Sequence, residues 1–304
     1  MSTTDITTRE QRAELVTLSP EFIETYPALA EDVDITALLE QAMGPGGELS
    51  LGNLTRIKVP SAELKSWMVP DDNGEPVPTR TIKGIPAALI ARRSYWESED
   101  VTGTAPDCRS NDLETGIGAL GEGSVDNPSG KCADCPMAAR GSAGKGTPAS
   151  KCKEQRVIFL LTGDLLPVMV VIPPGSLPTF NNFGALVFNK NIKGFRRPDG
   201  SDSSSWLRLE VELGLEQTTN VKGQDYNRVT FKIVRRLELE EVARVSAYGQ
   251  WVDGLVKAQE DAITMALSDV DTAPAADVPF DSDGMPVDEV DLTATTRTAG
   301  SKGR

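Results

Sequence analysis

Three textures of apolar and polar positions follow one another along the chain. Up to about residue 50 the pattern predicts helix. Ser19 followed by Pro20 is an N-cap with proline at the first helical position, where no amide donor is needed. Asp34 is placed to cap a second helix over ITALLEQAM, and Gly44 to end it. GPGGE, residues 44–48, marks a break. From Leu51 the apolar runs shorten and gain β-branched and aromatic residues. LTRIKVP, SWMV and TIKGIPAALIARRSYWE predict strands, and VPDDNGEPVPTR a turn-rich link between them. RVIFLLTG and LPVMVVIP predict two paired, buried strands joined at Thr162-Gly163-Asp164. A helix starting near Ser176 follows, then two alternating strands around a polar tip within residues 205–237. Finally, apolar residues at three- and four-residue spacings (Val242, Val245, Val252, Leu255, Ile263 and Leu267) predict an amphipathic helix.

Short strands with one helix between them suggest an α+β fold, mainly β, built as a small Greek-key barrel rather than a doubly wound sheet. The expected division is an acidic helical arm over residues 1–50, a core over 51–267, and a disordered acidic tail over 268–304. A small arm packed on the core is favoured over an arm that binds a partner.

Composition refines this picture. The chain has 304 residues and a formal charge of −14, unevenly spread. Residues 1–50 hold ten acidic and two basic residues, and residues 261–304 hold nine and three. The middle is neutral, so whole-chain acidity does not exclude a nucleic-acid partner. No apolar run reaches the roughly 18 residues of a membrane span, and the start lacks a signal-peptide pattern. A cytoplasmic address and reduced thiols are the expectation.

The four cysteines are Cys108, Cys132, Cys135 and Cys152, and there is no histidine. The C-x2-C knuckle lets two thiolates reach one ion from a tight turn, and four thiolates complete a closed tetrahedral Zn²⁺ site. The residues between the cysteines are mostly Gly, Ser, Pro, Asn, Ala and Lys, which build no core and need a staple. A redox pair, four unrelated buried thiols and an iron–sulfur site remain as alternatives. The same zinc loop, 108–152 with its flank, carries Arg109, Lys131, Arg140, Lys145, Lys151, Lys153 and Arg156.

Cations also stand beside aromatics: Lys65 with Trp67, Lys83 upstream of Arg92, Arg93, Tyr95 and Trp96, and Tyr226 with Arg228. Rings that stack bases and cations that follow phosphates are the combination by which single strands are held. Structural core roles for Trp67 and Trp96 are the competing reading. GSAGKGT is not a phosphate loop, because Lys145 is followed by Gly146 and position 139 is alanine. Without histidine no imidazole base exists, and no carboxylate pattern of a metal-dependent nuclease stands out. A non-enzyme is the expectation.

The cysteine series followed by VIFLLTGDLLPVMVVIPPGS, with basic-aromatic strands and an acidic tail, resembles the single-stranded DNA-binding proteins of tailed bacteriophages. In layout it is similar to the helix-destabilising proteins of T-even phages. That resemblance implies an oligonucleotide-binding (OB) barrel with a zinc loop, and single-stranded DNA as partner in replication or recombination. One departure is that all four ligands here are cysteines. The tail residues Asp277, Pro279, Phe280, Asp281 and Asp283 resemble the acidic, Pro-Phe tails of bacterial single-strand binders that recruit replication proteins. Here, however, Phe280 is not near the end of the chain. The alternative is a zinc-stabilised protein-interaction module in transcription or assembly that does not touch DNA.

Overall fold

The computed structural model describes residues 18–44, 49–71, 73–98, 106–144, 149–192, 208–220 and 223–258. The fold is α+β and mostly β. Among the described residues four α-helices, α1 (Pro20–Thr25), α2 (Ile35–Met43), α3 (Leu177–Ile192) and α4 (Leu239–Ala258), accompany ten strands. The strands are β1 (Arg56–Ile57), β2 (Trp67–Pro70), β3 (Pro76–Thr79), β4 (Ile82–Tyr95), β5 (Cys108–Ser110), β6 (Ile117–Gly118), β7 (Lys153–Leu161), β8 (Val168–Ile172), β9 (Leu209–Thr219) and β10 (Asp225–Arg236). The N-terminal helices form where their caps predict. Ser19 Oγ accepts from Phe22 N at 3.2 Å and Asp34 Oδ1 from Ala37 N at 3.1 Å.

The long strand β4 is the spine of an eight-stranded mixed sheet. Most of its length pairs antiparallel with β7, from Ile85↔Leu161 to Ser94↔Lys153. Its first residues pair with β9 and its last with β5. The path runs β1-β8-β7-β4-β5-β6, with the β9–β10 hairpin attached at the start of β4. A register shift between Pro86 and Ala88 bulges β4 where proline has no amide to give the ladder.

At β7 and β8 the sheet is buried on both faces, which is why these strands read as continuous apolar runs. Ile158, Leu160, Val168, Val170 and Ile172 point into an inner core with Ile57, Trp67, Val211, Leu213 and Val229, capped by Phe180, Phe183 and Val187 of α3. Val157, Phe159, Leu161, Met169 and Val171 point the other way, into a second core. That outer core is roofed by Phe22, Tyr26 and Leu29 of the N-terminal arm and by Val242, Val245, Tyr248 and Val252 of α4. Burying each large apolar side chain contributes roughly 1.5–3 kcal/mol, so lifting the roof costs on the order of ten kcal/mol. The arm is therefore part of the core and not an appendage to it.

The expected barrel needs one correction. Among the described residues no strand pair closes the sheet into a barrel. The short β1 lies parallel beside β8, with Ile57 opposite Val170. Across the remaining gap to β10, a side chain does the joining. The buried Asn227 Nδ2 donates to the carbonyls of Ser61, of Leu64 at 2.7 Å and of Pro60 at 3.2 Å. Gln217 Nε2 adds a contact to Ala62 O at 3.2 Å.

Candidate metal centre and nucleic-acid interface

The connection from β4 to β7 carries all four cysteines, each on a different local support. Cys108 starts β5, opposite Tyr95 of β4 and Gly118 of β6. Gly118 has φ 110, and a side chain there would sit 2.3 Å from Asp107 O, so the turn requires glycine. Cys132 is held by its amide to Glu114 O at 2.7 Å. Cys135 follows in the turn of the C-x2-C knuckle, its amide donating to Cys132 O at 3.4 Å. Cys152, just before β7, donates to Met137 O at 2.8 Å. The four thiols are free of disulfides and buried.

Cys108, Cys135 and Cys152 share one small apolar cluster with Tyr95 and Leu120. Cys108 and Cys152 each lie within electrostatic reach of the other three thiols. Burial pushes the Cys152 thiol up to about 12, although Arg93 opposes this, and the other three thiols add to the rise. Burial likewise raises Cys108, helped by Cys132 and Cys135. No set of three or more Cys, Asp or Glu side chains among the described residues stands at metal-holding geometry. The convergence is thus one of neighbourhood, short of coordination.

The aromatic and basic candidates separate into three groups. The first is corrected by burial. Trp67 is fully enclosed in the inner core and its Nε1 has no hydrogen-bond partner among the described residues. Tyr95 is enclosed with the cysteines. Arg92 is only 2% exposed, with its Nε on Gln155 Oε1 at 3.0 Å. These three present no surface to a DNA strand. Neighbourhood in sequence sets ring beside guanidinium, but the fold encloses these three side chains.

The second group is spent on carboxylates directly across the ladder. Arg93 faces Glu154 in register and bonds it at 2.8 Å, and Glu154 also holds Arg156 at 2.8 Å. Burial works to raise the Glu154 carboxyl, yet hydrogen bonds from Arg93 and Arg156 hold it below the usual carboxylate range. Lys83 and Lys232 flank Glu212 at 3.6 and 3.5 Å, and Arg228 meets Glu216 at 2.8 Å. The glutamates were missed from sequence because cross-strand partners appear only once the register is known. Tyr226 is half-buried, with its ring over Gly175.

The third group is open. Arg140, Lys151 and Lys153 are exposed, as is Lys131, and none of the four is in an ion pair with a described residue. Trp96 is half-buried at the entrance to the loop. The loop is not uniformly basic: Asp107, Asp112, Glu114, Glu122 and Asp126 crowd its first half, whereas Asp134 is the one acid between Lys131 and Lys153. Lys145 and the tail residues Asp277, Pro279, Phe280, Asp281 and Asp283 lie outside the described residues. No helix among the described residues is long and apolar enough to cross a membrane.

The chain matches no protein-family profile, no curated protein and no solved structure.

Proposed function

We propose that this is a non-catalytic single-stranded DNA-binding protein built on an OB-type sheet, with its cysteine loop stapled by Zn²⁺. The observation that carries the reading is the strand order. β4, β7 and β8 form an antiparallel meander, α3 follows, and the β9–β10 hairpin returns to pair with the first strand. That order supports the reading of a five-stranded, partly open OB barrel, in which the loops after the first and fourth strands contact oligonucleotides. Here those two connections are the cysteine loop and the turn between β9 and β10.

Zinc is supported by the donor set: four buried thiols, three of which share one small cluster with Leu120 and Tyr95. Cys108, Cys132, Cys135 and Cys152 would hold the ion, and its contribution would be to cross-link a glycine-rich loop. The resemblance to phage proteins points to replication or recombination as the setting.

A second reading, a zinc-stabilised protein-interaction module, is favoured by one fact: the outer face of β7 and β8 is roofed by helices. Fluorescence anisotropy of a labelled oligo-dT separates the two. The DNA reading requires binding that weakens steeply with salt; no binding even at low salt rejects it.

A further inference from the structure

On the DNA-binding reading just proposed, we infer where the strand lies: not across β7 and β8, but over the basic lobe of the cysteine loop, on Lys131, Arg140, Lys151 and Lys153, with Trp96 at its edge. The OB groove normally crosses the outer face of the second and third strands. In this chain that face holds Phe159, Met169 and Val171 under the arm and α4. Displacing that roof costs on the order of ten kcal/mol, whereas each stacked base returns only about 1–3 kcal/mol. Five other cations of the sheet are already engaged by carboxylates: Lys83 and Lys232 by Glu212, Arg93 and Arg156 by Glu154, and Arg228 by Glu216.

The open cations gather because the cysteines do. Lys131 adjoins Cys132, and Lys151 and Lys153 flank Cys152, so three of the four emerge around the same buried knot. Arg140 is drawn to them by its own strand of the loop. Gly141 N bonds Ala149 O at 3.1 Å, and Lys151 N bonds Ser142 Oγ at 2.9 Å. Lys153 lies opposite Ser94, two residues from Trp96. Between Trp96 and Lys153 the chain has no other aromatic, so Trp96 is the ring next to this lobe in sequence. The acidic first half of the loop repels the strand and confines it to the basic half.

Contact made mostly through phosphates is sequence-tolerant and strongly salt-dependent. Four phosphate contacts on a single strand give a slope of log K against log salt of about −3. The test uses the full chain and a labelled oligo-dT of about 15 nucleotides. The expected result for the Lys131→Glu, Arg140→Glu, Lys151→Glu, Lys153→Glu variant is at least about tenfold weaker binding and a slope shallower than about −1. Lys232→Gln with Lys257→Gln should bind as wild type. The milder Lys151→Gln, Lys153→Gln pair, which keeps the surface close to native, should lose about half of the slope. Trp96→Phe should remove most of the tryptophan quenching that DNA causes. Wild-type binding with an unchanged slope in both loop variants would overturn this footprint while leaving DNA binding intact. No binding by the wild type would overturn both.

Discussion

Replacing Asn227 by alanine tests how the sheet is held shut. Its amide has two N–H donors shared among the carbonyls of Pro60, Ser61 and Leu64, and the residue is 4% exposed. Alanine removes two hydrogen bonds, each worth about 1 kcal/mol net. It also leaves buried carbonyls without a donor, which adds about 1–3 kcal/mol. The expected loss is about 3 kcal/mol, or roughly 6–12 °C in Tm for a domain of this size. Asn227→Asp should cost more, because a carboxylate would face the same carbonyls. Urea unfolding measures the loss, and hydrogen exchange locates it. Amides of residues 61–64 should exchange faster while those of β7 and β8 keep their protection. A loss below about 0.5 kcal/mol with unchanged exchange at Leu64 would refute the idea that this side chain substitutes for a missing ladder.

Other outcomes follow from the roof and its fastenings. Arg235 bonds Glu210 and Glu241, each at 2.8 Å, and lies 5.4 Å over the Phe22 ring. Arg235→Met strands two largely buried carboxylates and should cost roughly 2 kcal/mol, discounted because the arginine is 38% exposed. Earlier proteolysis of the N-terminal arm would report it. Gly249→Ala, which in an open helix gains about 1 kcal/mol, should instead destabilise by about 1–2 kcal/mol. The new Cβ would sit 2.4 Å from Ala87 O, and a stabilised thermal melt would contradict that contact. Burial, and at Tyr26 the neighbouring Glu210, holds the phenols of Tyr26 and Tyr248 above the ordinary tyrosine range; burial and Glu97 raise Tyr95. Their stabilising effect is complete below pH about 10 and is lost as pH rises above it. Absorbance at alkaline pH should therefore show Tyr26 and Tyr248 ionising only together with unfolding; their ordinary titration in the folded state would contradict the burial.

The fold was legible where local chemistry decides and obscure where partners do. Ser19 and Asp34 announce their helices because a cap is satisfied within three residues. The runs VIFLL and VMVVI announce buried strands because both faces are apolar. The roof could not be read: nothing local says that Phe22 and Val245 meet over Phe159. Trp67 and Tyr95 look like stacking rings for the same reason, since a neighbouring cation in the sequence does not say whether the ring is open to solvent. The cysteine cluster was visible as spacing. The neutralisation of Arg93, Lys83 and Arg228 was not, because it needs the register that sets Glu154, Glu212 and Glu216 opposite them.

The proposed function requires a metal-knotted loop that grips a DNA strand. Its most direct test is the affinity of the full chain for labelled oligo-dT before and after removal of bound metal by a chelator. Affinity should fall by at least about tenfold on stripping, and one equivalent of Zn²⁺ per chain should restore it. Equal affinity and equal salt dependence with and without metal would contradict the claim.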